Sequence, residues 1–255
     1  MKPTSGRATN EQTQAARLVE RLLEVGEKIG GNELLFLNDC AVGDLLKSDP
    51  FAFMLAASID RGMVAEMAWR LPGKLKSVLG HLDPARMALM APDQMLEVLK
   101  SIDGRPRYLG DAARTLIEVA RYVLENCGGN ARKLWQKQPA TTIKRELRGI
   151  YGIGPGIASM VVLLLHKMKE ISLGPADLAG TDLKPDVNVR RLFQRLGFCM
   201  PDPSERDVLE AARRLNPSYP GQLDGPAWYI GRTWCHAQEP ACASCPLADV
   251  CPRLT

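Results

Sequence analysis

The sequence predicts an all-α protein. Apolar residues recur three and four apart almost from end to end, no stretch alternates apolar with polar as a half-buried strand would, and no internal repeat of fixed period appears.

Each helix follows from an apolar stripe and a stop signal. Gln12 to Ile29 places Ala16, Leu18, Leu22, Leu23 and Val25 on one face, and Gly30-Gly31 ends it. Pro50 opens an apolar helix over Phe51 to Ile59, Arg61-Gly62 breaks the pattern, and a further helix carries Val64, Met67 and Trp69 as far as a turn at Pro72-Gly73. Leu109 to Leu124 is strongly amphipathic, with Ala112, Leu116, Val119, Ala120 and Val123 in one stripe and Gly128-Gly129 as its stop. Thr141 or Thr142 caps a helix that runs to Leu147. Pro155 to Met168 is apolar on all sides in its middle, so it is expected at the centre of a core. A Gly-, Pro- and Asp-rich loop, Leu173 to Pro185, precedes three last helices: Val187 to Leu196, Ser204 to Leu215 and Pro226 to His236.

At 255 residues the chain can build one large domain or two smaller ones. Its 45% hydrophobic and 24% charged residues are those of an ordinary globular protein, which confines expected disorder to the polar, aperiodic Met1 to Asn10. The longest apolar run, Met160 to Leu165, is too short to cross a bilayer, and the N-terminus has no signal-peptide pattern, so the expected location is the cytoplasm. A net charge of +4 is compatible with a polyanionic partner without requiring one.

The seven cysteines are unevenly placed. Cys40, Cys127 and Cys199 are scattered, whereas the other four lie in the order Cys235-x6-Cys242-x2-Cys245-x5-Cys251. An odd total without a secretion signal argues against a disulfide framework. Soft thiolates select zinc or an iron–sulfur centre. Structural zinc usually takes two close doublets, and only Cys242 and Cys245 form one; the wider outer gaps favour a [4Fe–4S] cluster over zinc or unmetallated surface thiols.

Gly231-Arg232-x2-Cys235, then Pro240-x-Cys242-x2-Cys245-Pro246, then Cys251, resembles the cluster loop of the endonuclease III family, without insertion or deletion. The loop between the first two ligands, often basic in that family, reads His236-Ala237-Gln238-Glu239-Pro240-Ala241 here. It carries no Lys or Arg, so the resemblance does not extend to a phosphate contact there, and the cluster's expected part is that of a structural staple.

The stretch from Leu147 to Ala158 contains Tyr151-Gly152-Ile153-Gly154-Pro155-Gly156. Two glycines around one apolar residue make a tight turn that lets backbone approach another molecule, Pro155 suits the first turn of the next helix, and that helix start is an anion site. A bare Gly-x-Gly is better read as a simple interhelical turn. Its setting resembles the helix–hairpin–helix of the same glycosylase superfamily, which grips a sugar–phosphate backbone without reading sequence. Further on, Lys184-Pro185-Asp186-Val187-Asn188 resembles the superfamily's essential aspartate at a helix start, followed two residues later by His or Asn. Asp186 alone is better read as an N-cap. The resemblance implies catalysis by Asp186, because cleavage of an N-glycosidic bond develops positive charge on the sugar that a carboxylate stabilises. It implies DNA contacts from Gly152, Ile153, Gly154, Gly156 and Asn188.

Three positions depart from the pattern. Family members that also cut the strand carry a lysine where this chain has Gly156, so a monofunctional glycosylase is implied, with water as nucleophile. Lys144 and Lys184 lie nearby in sequence, and Lys184 keeps open a displaced-lysine lyase; a DNA-binding module without activity is the non-enzyme reading. The segment Ala57 to Met63 stands where the family places a gap-filling glutamine, so Asp60 and Arg61 are read as a wedge or base contact, or equally as a salt-linked surface turn. Tyr151 stands where proline is common and is read as stacking on a base or sugar, or as a packed aromatic. The resemblance further implies a monomer in which a flexible tail (1–10) precedes two domains: a six-helix domain with the hairpin (32–185) and a cluster domain (11–31 plus 186–255), with double-stranded DNA carrying a damaged or mismatched base across them.

Overall fold

A computed structural model describes residues 5–29 and 40–254, with side chains from residue 12 onward. As expected, the fold is all-α; no strand occurs among the described residues. The chain divides into two compact units, one of Met1–Asn32 and Leu173–Thr255, the other of Glu33–Ser172.

The first helix, α1 (Ser5–Ile29), begins earlier than the sequence indicates, so the expected tail continues the helix from Ser5. Once the amphipathic part has nucleated, each added polar residue costs only its propensity. Residues 1–4 and the stop at Gly30-Gly31 lie outside the described residues. Leu18, Leu22 and Val25 are buried as expected, whereas Ala16 is exposed and Ala15 packs instead.

The central unit is built from α2 (Cys40–Ser48), α3 (Pro50–Ser58), α4 (Ala65–Leu79), α5 (Pro84–Ala88), α6 (Pro92–Lys100), α7 (Leu109–Cys127), α8 (Ala140–Arg148) and α9 (Pro155–Lys167). Asp49 caps α3 by accepting from the amides of Phe51 and Ala52, and residues 51–58 are all buried. The α4 helix runs through Pro72-Gly73, where the sequence indicates a turn. An interior proline costs roughly 3 kcal/mol. Burial of Trp69, Leu71 and Leu75, at about 1.5–3 kcal/mol each, outweighs that. Val64 and Met67 prove exposed, on the far side of that helix from Trp69. The core is organised around Phe53, whose ring centroid lies 5.7 Å from that of Trp69 and 6.1 Å from that of Trp135. Gly128, in the left-handed conformation, ends α7 as expected. Helix α8 is capped by Pro139, without a side-chain bond, rather than by either threonine.

The other unit joins α1 to α10 (Pro175–Ala179), α11 (Val187–Arg195), α12 (Glu205–Leu215) and α13 (Asp224–Thr233). Ser204 caps α12 through a reciprocal pair with Asp207. Helix α13 starts two residues before Pro226 and ends at Thr233, three residues short of His236. Residues 173–185, assigned from the sequence to the six-helix domain, pack with this unit: Arg213 pairs with Asp182 at 2.7 Å and the Lys184 amide donates to Asp224. Its core includes Leu18, Leu22, Val189, Leu192 and Phe193, with Phe198 edge-on to Phe193. No helix among the described residues is long and apolar enough to cross a membrane.

Candidate nucleic-acid interface and thiol loop

In the unit of Glu33–Ser172, α8 ends at Gly149 and the chain turns through Ile150 to Gly154 into α9, with Pro155 in its first turn. The amide of Ile153 donates to Ile150 O at 3.1 Å, closing the turn. Gly152 has φ +86°, and a Cβ there would collide with the side chain of Thr115 on α7. Only glycine fits, because both the backbone conformation and the approach to α7 exclude a side chain. Gly154 has nothing within 4 Å of its would-be Cβ. Gly154 is half-exposed and precedes the first-turn amides of α9, which, like those of any helix start, favour an anion. Ile153 is buried as the pin of the turn, and Gly156 is half-exposed in the first turn of α9, where it offers only backbone.

Tyr151 is fixed from α7. Its hydroxyl donates to Asp111 Oδ1 at 3.0 Å, and the Arg114 guanidinium sits 3.8 Å from its ring centroid. One face of the ring is covered by Arg114, as a packed aromatic would be, and the side chain remains half-exposed. Neither Asp111 nor Arg114 stands out in the sequence, since each lies about forty residues from its partner. Thr115 Oγ1, beneath Gly152, is buried and without a hydrogen-bond partner. Lys144, on α8, is half-buried.

The Asp60–Arg61 turn is held by its backbone, with the Asp60 amide donating to Ala57 O and the Arg61 amide to Ile59 O. Arg61 is exposed and Asp60 half-exposed. Gly62, at φ +66°, lies against the ring of Tyr108, which is itself exposed and overlain by Arg107.

In the other unit, Asp186 is the N-cap of α11. Its Oδ1 accepts from the amides of Asn188 at 2.8 Å and Val189 at 3.0 Å. Both bonds use one oxygen. Asn188 Oδ1 accepts from Arg191, whose guanidinium also donates to Gly231 O at 2.7 Å and Cys235 O at 2.6 Å. Burial pulls Arg191 below the ordinary arginine range; Cys235 and Asp186 act in the opposite direction and Arg195 adds to the fall. Arg195, one turn on, donates to Cys235 Sγ at 3.3 Å and to His236 O at 2.6 Å. Helix α11 thus carries the carboxylate at its start and holds the first cysteine of the loop along its length, a linkage the sequence does not display because all but one of the acceptors, Cys235 Sγ, are distant main-chain atoms. Lys184 lies two residues before the cap, with its amide bound by Asp224.

Cys235, Cys242, Cys245 and Cys251 are all half-buried, and Cys235, Cys245 and Cys251 pack on the edge of the core. Burial pushes the Cys245 thiol up, and Cys235, Cys251 and Cys242 add to the rise. Cys251 is pushed up by burial and by Cys235 and Cys242. Among the described residues no three His, Cys, Asp or Glu side chains converge closely enough to hold a single metal ion. Four thiolates on one zinc would stand roughly 3.8 Å apart, from a bond of about 2.3 Å in tetrahedral geometry. The described loop therefore presents no preformed metal cage. Arg21 of α1 secures the same loop, donating to Asp249 at 3.1 Å and to Pro246 O.

No protein-family model matches the chain. It is 25% identical to thymine-DNA glycosylase of Aeropyrum pernix over 246 residues, 92% of each chain. It is 23% identical to endonuclease III of Bacillus subtilis over 209 residues, 82% of this chain and 83% of that protein. Its fold is shared with the structure of a trapped endonuclease III–DNA covalent intermediate, at a TM-score of 0.66 and 18% identity, covering 94% of this chain and 96% of that one.

Proposed function

We propose that this chain, which resembles the endonuclease III-like helix–hairpin–helix glycosylases in sequence and in fold, is itself a DNA glycosylase of base excision repair. It hydrolyses the N-glycosidic bond of a damaged or mismatched base in double-stranded DNA, as a monomer. The observation that carries this reading is Asp186: its Oδ1 is spent on capping α11, and Oδ2 makes no hydrogen bond among the described residues. A capped carboxylate is rigidly aimed, and its second oxygen can face a developing oxocarbenium ion or a water. The base first leaves the stack, so the enzyme must hold the backbone, and the hairpin amides at Gly152 and Gly154 with the α9 N-terminus supply that grip.

The finer reading is a monofunctional enzyme. Gly156 offers no amine, so water attacks the anomeric carbon as the base departs with the bonding pair and a proton. We further propose that Cys235, Cys242, Cys245 and Cys251 hold a [4Fe–4S] cluster. When bound, that cluster supplies four sulfur–iron bonds that close residues 235–251 into one loop. The spacing of the four cysteines and the seat of Cys235, Cys245 and Cys251 at the core edge support this assignment. Arg191 and Arg195 orient Cys235, and Arg21 holds the loop near Asp249.

A panel of duplex oligonucleotides, each with one lesion or mismatch, tests the activity. Wild type is expected to release one class of base, and Asp186→Asn to abolish release while still binding abasic-site DNA; full activity in that variant refutes the mechanism. Borohydride is expected to trap no covalent adduct, and a trapped adduct lost in Lys184→Ala replaces hydrolysis with lyase chemistry. Protein purified without oxygen is expected to be brown and to bleach on iron loss, whereas a colourless zinc protein removes the cluster.

A further inference from the structure

The segment that delivers Asp186 has no regular structure, yet it is tied down at nearly every second residue. Thr181 is buried, donates to Leu178 O at 2.6 Å and accepts from the Gly221 amide at 3.1 Å. Asp182 takes two bonds from Arg213, at 2.9 and 2.7 Å. Leu183 is buried, and the Lys184 amide donates to Asp224 Oδ1 at 2.6 Å. The Asp186 amide then donates back to Lys184 O at 2.8 Å, so the residue whose amide Asp224 holds is the one whose carbonyl, on the next peptide unit, takes the Asp186 amide.

We propose that Asp224 is a positioning residue for the Asp186 carboxylate, acting through the main chain of Lys184; this rests on the reading of Asp186 as the catalytic group. Asp224 is the first residue of α13, where an acid would be expected to serve the helix's own amides. Helix α13 has no side-chain cap, and Asp224 turns its Oδ1 to the strap instead. A charge-assisted bond of this length is roughly twice as strong as a neutral one and fixes the Leu183–Lys184 peptide plane, one peptide unit before the carbonyl that Asp186 bonds. Helix α13 also ends at the cysteine loop and packs against α11, so the strap and the capped helix are both referenced to the same rigid element. The requirement at position 224 is for an acceptor oxygen, not for a proton or a charge in the reaction.

Single-turnover base release, affinity for abasic-site DNA and amide exchange at Lys184 are measured for wild type, Asp224→Ala and Asp224→Asn. Asp224→Ala is expected to slow release roughly 10- to 100-fold, the scale of a small misplacement of a reacting group, with affinity changed less than about threefold. Its Lys184 amide is expected to exchange faster. Asp224→Asn keeps an acceptor oxygen and is expected to restore most of the rate with the wild-type pH–rate profile. Unimpaired release in Asp224→Ala overturns the proposal, as does an Asp224→Asn variant as slow as the alanine or with a shifted profile. Wild type inactive on the whole lesion panel overturns the glycosylase reading itself, which separates the two failures.

Discussion

Gly152→Ala is expected to cost about 2–5 kcal/mol of stability and to abolish DNA binding by the hairpin. Two terms contribute. At φ +86° an alanine Cβ meets its own following carbonyl, a strain of about 1–2 kcal/mol. The same Cβ would also overlap Thr115 Oγ1 and stand 2.8 Å from Thr115 Cγ2, well inside ordinary carbon contact. Thr115 is buried in the middle of α7, so it cannot swing aside, and overpacking of this kind costs about 1–3 kcal/mol. Thr115→Ala removes both crowding atoms. The double variant is therefore expected to recover the steric share and keep the conformational share, a coupling of about 1–3 kcal/mol in a double-mutant cycle. Denaturant unfolding gives the energies, and fluorescence anisotropy with labelled duplex gives the binding. A Gly152→Ala variant that loses less than about 0.5 kcal/mol, the usual size of a surface change, refutes the reasoning.

Two other sites give independent tests. Tyr122 of α7 donates to Glu146 of α8 at 2.5 Å, and this hydroxyl, then Arg145, holds the Glu146 carboxyl below its usual 4.5. Because Glu146 is over a third exposed, Tyr122→Phe is expected to cost only about 1 kcal/mol at pH 7. A lowered folded pKa gives stability that is complete above 4.5 and fades as pH falls through the folded value, so the difference between the two proteins is expected to vanish in acid unfolding; a deficit that persists there contradicts the assignment. Gly231 brings α13 so close to α11 that a Cβ would stand 2.6 Å from Asn188 O. Gly231→Ala is expected to cost about 2 kcal/mol and to lower base release, measured by unfolding and single turnover, and wild-type values in both would deny that the close approach matters.

What the sequence reveals here depends on how far each cause reaches along the chain. Helix α3 is legible because its whole surface is apolar, and α7 because its stripe and left-handed Gly128 are local signals. Helix α2 is not: only Leu46 is buried among its described residues and Gly43 interrupts it, so tertiary packing rather than pattern makes it helical. Pro72 misleads for the same reason in reverse, since a local breaker loses to the burial of Trp69 and Leu75. At the candidate site, the cysteine spacing and the hairpin glycines are short-range and readable. The supports are not: Arg114 with Tyr151, Arg191 with Cys235, and Asp224 with Lys184 are separated by about forty residues, and two of the three bind main-chain atoms that any residue offers.

The geometry also dissolves a choice that the sequence poses. Read alone, Asp186 is a helix cap or a catalyst, and the first is the commoner fate of an aspartate before a helix. On the proposed mechanism the two roles use different oxygens. Capping through Oδ1 fixes the side chain against two amides, and that fixity is what a catalytic carboxylate needs if Oδ2 is to meet charge without first reorganising. Asn188 shows the same economy, since its amide serves the cap while its Oδ1 is held by Arg191. Its side-chain NH2 group is then the part with which it would approach a phosphate. Replacing Asn188 with Asp would keep the bond to Arg191 but turn that donor into a second negative charge, so binding should weaken even though the cap is intact.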